Sequence, residues 1–231
     1  MNRRSKWVIF SLAGLGLAVV LALGFLVYFR ATGRIQFYTV PTAGSEPAIP
    51  AGGYILATKV GTPERFDLIC YQQTNALYER ATYVQRVCGL PGDTVMIQQG
   101  VLHINGVAMD AGLRLKHLYR IPRELHHMLL LKKLIREDDH YPPASPDSVD
   151  VLLEDAMAET HSAARKVMLT VPNPAIVEHF AEQWSQDMFG PLVIPAKHYF
   201  FLGDNRDASL DSRFLGPIPE ADLTGVVFHV F

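Results

Sequence analysis

An uncharged, apolar run near the start of the chain constrains its folding more than any other feature. Residues 7–29 read WVIFSLAGLGLAVVLALGFLVYF. A helix rises about 1.5 Å per residue, so about 20 apolar residues cross the roughly 30 Å hydrocarbon core of a bilayer. We therefore predict one N-terminal transmembrane helix over residues 7–29, with Trp7 and Tyr28 near its two interfaces.

A cleaved signal peptide is the alternative interpretation of this run. Its apolar region is usually about 7–15 residues long and is followed by small residues at the cleavage site. Residues 22–24 fit weakly, since the apolar run continues past them. Three basic residues precede the run and two follow it: Arg3, Arg4, Lys6, Arg30 and Arg34. The positive-inside rule then predicts a cytoplasmic segment 1–6, and an extracytoplasmic C-terminal part held at the lipid of the inner or plasma membrane.

The composition excludes several classes of protein. Hydrophobic residues make up 49% of the 231 residues, which excludes a disordered chain. The net charge of −2 offers no basic field, so no nucleic-acid partner is expected. The two cysteines are too few for a disulfide scaffold. Cys70 and Cys88 lie on neighbouring predicted strands, either as two buried thiols or as a disulfide.

Beyond the apolar run, short β-branched and aromatic segments alternate with Gly and Pro, as is typical of strands. We predict strands at 54–57, 67–71, 83–87, 94–97, 101–104, 199–202 and 225–230, with a hairpin turn at Gln99 and Gly100. Segments 35–107 and 191–231 are thus predicted to form a mainly β domain, a sandwich or barrel.

Between these segments the pattern changes, and residues 113–190 are predicted to form a helical insert. Pro122 stands where a first helical position tolerates proline. After it, Leu125, Met128 and Leu129 recur at helical spacing. Residues 148–168 and 175–189 are predicted to be helical as well.

Two motifs carry more specific information than the fold. Residues 83–93 read YVQRVCGLPGD, and residues 203–213 read GDNRDASLDSR. With these motifs the chain resembles the bacterial type I signal peptidase (leader peptidase) family, whose late signature is G-D-N-R-D-x-S-x-D-S-R. The resemblance covers about 36–107 and 192–231 together with the apolar N-terminus. It implies a signal-peptidase-like β-domain and a serine endopeptidase that processes signal peptides with a Ser/Lys dyad and no cofactor or metal.

The base of that dyad is replaced in this chain. The family places the catalytic lysine directly before the arginine of K-R-x-x-G-x-P-G-D, where this sequence has Gln85 before Arg86. A lysine with a pKa lowered by desolvation can accept a proton near neutral pH. The neutral side-chain amide of Gln85 cannot accept a proton at this pH. Lys59, Lys197 and His198 are possible surrogate bases, but none stands at the matching position.

The nucleophile position has two alignments. The family reads P-S-G-S-M-x-P-T, and residues 41–48 here read PTAGSEPA. The ungapped alignment, which we favour, places Gly44 at the nucleophile and Thr42 at the oxyanion serine. An alignment with one deletion places Ser45 at the nucleophile. Under both alignments the lysine is absent.

Other family positions are retained. Ser209 matches the serine that supports the lysine, and here it could hydrogen-bond Gln85. Tyr38, Val40, Tyr83 and Val84 match positions that line the substrate cleft. The structural residues of the two motifs are also present: Arg86, Asp204, Asn205, Arg206, Asp207, Asp211 and Arg213. Among them, Asp211 and Arg213 could form a bidentate ion pair that braces the loop.

Together these observations predict a membrane-anchored member of the family with impaired catalysis, which binds secretory preproteins or pilin-like segments. An extended peptide can add to a sheet edge through backbone groups and small pockets, with no dyad. One alternative is an active signal peptidase that uses Ser45 and a surrogate base. Another is a non-catalytic, structural membrane-tethered domain.

Overall fold

The computed structural model describes residues 3–31, 34–59, 61–74 and 81–231. Helix α1 extends over Arg3–Ala31. Its side chains are described at residues 12–25, 27 and 28, where they are exposed. Taking the described residues alone, none of the helices combines the length and the apolar character that a bilayer crossing requires. Residues 1–2 of the predicted cytoplasmic segment lie outside the described residues.

The rest of the described chain consists mainly of strands, as predicted. In chain order these are β1 (Ile35–Val40), β2 (Gly53–Thr58), β3 (Leu68–Gln73), β4 (Ala81–Gly89), β5 (Thr94–Gln98), β6 (Val101–Ile104), β7 (Val107–Ala108), β8 (Lys116–Pro122), β9 (His140–Ser145), β10 (Ser148–Glu154), β11 (Arg165–Lys166), β12 (Met188–Val193), β13 (His198–Leu202), β14 (Ile218–Pro219) and β15 (Leu223–Val230). The shorter helices are α2 (Arg123–Leu131), α3 (Asp155–Glu159), α4 (Pro174–Phe180) and α5 (Ser212–Leu215), with 3-10 turns at Glu137–Asp139 and Glu220–Asp222.

The largest sheet has the strand order β1-β2-β15-β3-β4-β13-β14. Within it, β4 pairs with β3 along residues 81–86. Strand β13 pairs with β4 only from Arg86 to Gly89. Among the described residues, therefore, the second edge of β4 has no strand partner along residues 81–85.

A second sheet, β12-β5-β6-β7, packs against the first. The predicted hairpin is confirmed: β5 and β6 pair antiparallel, and Gln99 and Gly100 form their turn with positive φ. Side chains from β4 and β13, including Cys88 and Phe200, join those of the second sheet in one buried apolar cluster. The two sheets thus share a core.

The prediction of a helical insert over residues 113–190 is wrong in its main element. This segment forms a third sheet of order β11-β8-β10-β9, with short helices around it. Strand β10 begins the stretch 148–168 that we predicted as helix, and its residues 149–153 are all buried. A short strand buried on both faces shows no alternation, so its sequence pattern resembles that of a buried helix. The helix after Pro122 is present as α2.

Of the predicted helix 175–189, only the start is helical. Helix α4 begins after Asn173, whose side chain accepts a hydrogen bond from the Ala175 amide and so caps the helix. It ends before Ala181, which has φ 56°. Residues from Met188 onward belong to β12.

Candidate functional site

A cavity of about 520 Å³ opens where β1, β4 and the loop after β13 meet. Its wall contains every residue that we predicted for the dyad, the oxyanion position, the supporting serine and the substrate cleft: Tyr38, Val40, Thr42, Gly44, Ser45, Tyr83, Val84, Gln85 and Ser209. The fold therefore brings together three segments that lie far apart in the sequence.

Gln85 lies at the inner wall of this cavity and is 4% exposed. Its Nε2 donates to Ser209 Oγ at 2.9 Å and to the Leu210 carbonyl at 2.8 Å. Its Oε1 accepts from the Tyr71 hydroxyl at 2.6 Å. The amide thus makes three hydrogen bonds, including the predicted contact with Ser209, and brings no basic group to the cavity.

Tyr71 is a neighbour of this amide that the motifs did not reveal. It lies on β3 next to β4, is fully buried, and stacks on Tyr83 with 5.6 Å between ring centroids. Burial, together with the nearby Asp211 carboxylate and Tyr83, raises the pKa of the Tyr71 phenol well above its usual range. Tyr71 therefore stays protonated and donates its hydrogen bond to Gln85.

Gly44 faces the amide network. A Cβ on Gly44 would lie 3.4 Å from Ser209 Oγ, which is ordinary van der Waals contact. Ser209 Oγ is also the atom to which Gln85 donates. Asn205 holds this stretch through its amide N–H, which donates to the Gly44 carbonyl at 3.1 Å. The first atom of a serine side chain would thus fit at this position beside Ser209.

The hydroxyl of Ser45 is bound to the backbone of β4. Ser45 is 3% exposed, and its Oγ donates to the Val84 carbonyl at 2.5 Å. Thr42, at the predicted oxyanion position, is exposed at the rim of the cavity.

The described cavity wall contains no lysine, histidine, aspartate or glutamate. The surrogate bases considered from the sequence, Lys59, Lys197 and His198, do not line it. Lys59 and Lys197 are exposed at other places in the fold. Within the described residues, then, no conventional base lines the cavity beside Ser45 or Gly44.

The three arginines of the two motifs form separate ion pairs. Arg86 donates to both carboxylate oxygens of Asp204, at 2.7 and 2.5 Å. Arg206 pairs with Asp110 at 2.6 Å. The predicted bidentate pair is confirmed: Arg213 donates to the two oxygens of the buried Asp211 at 2.9 and 2.8 Å.

Two further polar residues of the second motif, Asn205 and Asp207, connect segments. Asn205 Nδ2 donates to the Ala43 carbonyl at 3.1 Å and so contacts the loop that carries Gly44. Asp207 Oδ2 accepts from the Leu118 amide of β8 at 2.7 Å. Burial raises the pKa of Asp207. The motif therefore joins the cavity loop on one side to the inserted sheet on the other.

Both cysteines are free and buried. Burial raises the pKa of Cys70 to about 12 and that of Cys88 to about 12. At pH 8 only about one such thiol in ten thousand is a thiolate. We expect iodoacetamide to leave both thiols unmodified in the native chain and to alkylate both after denaturation, as measured by mass spectrometry. Rapid native alkylation at either position would contradict this description.

Comparisons with known proteins agree with the motifs. The family described as signal peptidase, peptidase S26, matches residues 12–231. A signal peptidase I of Buchnera aphidicola subsp. Baizongia pistaciae is 24% identical over 228 residues, which are 89% of this chain and 72% of that one. A signal peptidase I of Aquifex aeolicus is 27% identical over 205 residues, which are 85% and 75% of the two chains.

A solved structure of a signal peptidase I from Enterococcus faecalis aligns with 74% of this chain and all of that chain, at 23% identity and a TM-score of 0.35. Because the family match covers nearly the whole sequence, the chain belongs to the signal peptidase S26 family.

Proposed function

We propose that this chain is a membrane-anchored member of the signal peptidase family that binds the signal peptides of secretory preproteins, or pilin-like segments, without cleaving them. The family implies preprotein signal peptides as the substrate class. The observation that carries the proposal is the state of Gln85, a neutral amide held by Tyr71, Ser209 and Leu210 where the family has its base.

Chemistry at the cavity supports the loss of peptidase activity. A serine nucleophile needs a group that takes its proton. The described wall offers amide, hydroxyl, phenol and thiol groups. Gly44 has no side chain, and the Ser45 hydroxyl is bound to the Val84 carbonyl. Loss of one member of a catalytic unit costs about as much as loss of the whole unit.

Peptide binding does not need the missing groups. The side of β4 on which no described strand pairs along residues 81–85 lies in the cavity wall, as do Tyr38 and Val40 of β1. An extended peptide could pair with this edge and place alternate side chains against the apolar residues. The retained cleft residues thus support binding as the surviving function.

Membrane anchoring is the second part of the proposal. Large apolar side chains of α1 are exposed, among them Leu15, Val20 and Phe25. In water such exposure is unfavourable, whereas the acyl chains of a bilayer would cover it. We propose that residues 7–29 anchor the chain in the inner or plasma membrane and that the C-terminal domain is extracytoplasmic.

Photocrosslinking tests the binding function. We expect a peptide with an Ala-x-Ala site and a photoreactive residue to crosslink to the full chain in detergent micelles at residues 81–85 and 208–210. Excess unlabelled peptide should suppress the crosslinks, and a peptide of the same composition in scrambled order should give none. If the scrambled peptide crosslinks equally, or if no crosslink maps to the cavity, the chain has only a structural role at the membrane.

A further inference from the structure

We infer that Glu46 and Lys116 are positioning residues: their ion pair holds the cavity loop, residues 41–47, against the inserted sheet and thereby sets the affinity of the cleft for peptide. This inference rests on the proposed binding function. It gives the inserted sheet a part in that function, as the support on which the cavity loop is fixed.

The ion pair is buried and connects distant parts of the chain. Lys116, the first residue of β8, and Glu46 are each 6% exposed. Lys116 Nζ lies 2.9 Å from Glu46 Oε2 and 2.7 Å from Asp139 Oδ1. Arg136 Nη1 adds a contact of 2.5 Å to Glu46 Oε1. Two cations of the insert therefore converge on one carboxylate of the cavity loop.

Two adjacent residues hold the cavity loop in two directions. Ser45 donates to the Val84 carbonyl of β4 on the cavity side. Glu46 extends toward β8 and pairs with Lys116. The loop thus spans from one wall of the cleft to the inserted sheet, with Gly44 directly before the two attachment points.

The backbone of Lys116 strengthens this connection. Its N–H donates to the Asp204 carbonyl at 2.9 Å, and its carbonyl accepts from the Arg206 amide at 2.9 Å. Between them, the Asn205 amide donates to the Gly44 carbonyl. Lys116 therefore reaches the cavity loop through its side chain and, by way of Asn205, through its backbone.

Apolar packing alone does not support the far side of the loop. A second cavity of about 240 Å³ lies there, and Glu46, Pro47, Pro50 and Lys116 are part of its wall. Residues 44–47 thus separate two cavities.

The Glu46 carboxylate is charged at neutral pH. Burial alone would raise its pKa, but the hydrogen bonds from Arg136 and Lys116 outweigh burial and lower the pKa. Because cavities lie on both sides of residues 44–47, the packing of apolar side chains alone does not hold this stretch in place. Loss of the Glu46 or Lys116 charge would leave the opposite charge buried and uncompensated, and the loop could then shift.

The test is peptide affinity in matched variants of the full chain. Fluorescence anisotropy of a labelled Ala-x-Ala peptide should give a Kd at least about tenfold higher for Lys116→Met and for Glu46→Gln than for the wild type. Lys116→Arg should restore most of the affinity because it keeps the charge. The control is Arg120→Met, on the same strand, whose partner Asp150 lies inside the inserted sheet. It should stay within about twofold of wild type.

Amide hydrogen exchange of residues 43–46 gives a readout that does not need peptide. We expect faster exchange there in Lys116→Met and Glu46→Gln than in Arg120→Met. Equal peptide affinity and equal exchange in all variants would overturn the inference and leave the proposed function intact. If the wild type binds no peptide, the proposed function fails, and exchange at residues 43–46 still decides whether the ion pair holds the loop. If Lys116→Met does not fold, Glu46→Gln decides both readouts.

Discussion

The variant that carries both Gly44→Ser and Gln85→Lys should cleave a preprotein with an Ala-x-Ala site that the wild-type chain leaves intact. A Cβ at position 44 would contact Ser209 Oγ at 3.4 Å, so the new hydroxyl would lie beside the supporting serine. A lysine at position 85 would replace an amide that is 4% exposed and donates to Ser209 Oγ. Burial there would lower the pKa of the lysine from about 10.4, as a general base requires.

Each single variant should remain inactive, because a nucleophile without a base and a base without a nucleophile are both incomplete. Since the members of a catalytic unit act together, we expect the double variant to exceed either single variant by about 10³-fold or more in initial rate. Mass spectrometry of the products gives the rate and the position of the cut.

A matched control separates the base from the change in shape. Gly44→Ser with Gln85→Met places a side chain of similar length at position 85 but no proton acceptor, and it should be inactive. If the double variant with lysine binds the preprotein and still does not cleave it, Gln85 and Gly44 are not the reason for the lost activity. The same activity in the lysine and methionine variants would contradict the assignment of the base position.

The second large effect concerns stability. Replacement of Arg213 by methionine should lower the free energy of unfolding by about 3–5 kcal/mol, because it leaves the buried Asp211 carboxylate without its cation. Arg213 is 1% exposed and Asp211 is 0% exposed. Asp211 also accepts from the Gly203 amide, so the change would disturb the loop that carries Ser209. Urea denaturation followed by circular dichroism measures the loss.

Two further variants serve as controls for this stability prediction. Arg114→Met removes an ion pair with Glu154 whose arginine side chain is 71% exposed. It should cost about 0–1 kcal/mol. The double variant Arg213→Met/Asp211→Asn should lose less than the sum of its single changes, because the two residues share one interaction. A loss for Arg213→Met as small as that for Arg114→Met would contradict the role of the buried pair.

The positions around the cavity were predictable because the motifs are contiguous in the sequence. The prediction that Gln85 stands at the dyad position follows from its place directly before Arg86, and the ungapped alignment places Gly44 at the nucleophile position. In the structure Gly44 does face the hydroxyl that Gln85 contacts. Short-range spacing of this kind is preserved by local backbone geometry, so it can be read without knowledge of the fold.

The insert was predicted poorly because its pattern lacks a distinctive period. Five consecutive buried residues of β10 gave no alternation, and a central strand with both faces covered needs none. The helix α2 was recoverable since its apolar residues recur at helical spacing and Pro122 precedes it. The errors thus occur where tertiary burial, and not local preference, selects the strand.

Long-range partners were not accessible from the sequence. Tyr71 reaches Gln85 through the pairing of β3 with β4, and no motif marks it. Lys116 is 70 residues from Glu46, and its contact depends on a sheet that the sequence pattern does not indicate. A buried ion pair can be recognised only when the two elements that carry it are placed together.

Incubation of the wild-type full chain, in detergent micelles, with a preprotein bearing an Ala-x-Ala site tests the central claim most directly. Binding is followed by anisotropy and products by mass spectrometry in the same sample. We expect saturable binding and no cleavage above that of a sample without the chain, and the absence of cleavage should be unchanged by Ser45→Ala. Wild-type turnover that Ser45→Ala abolishes would contradict the account and identify an active peptidase with Ser45 as its nucleophile.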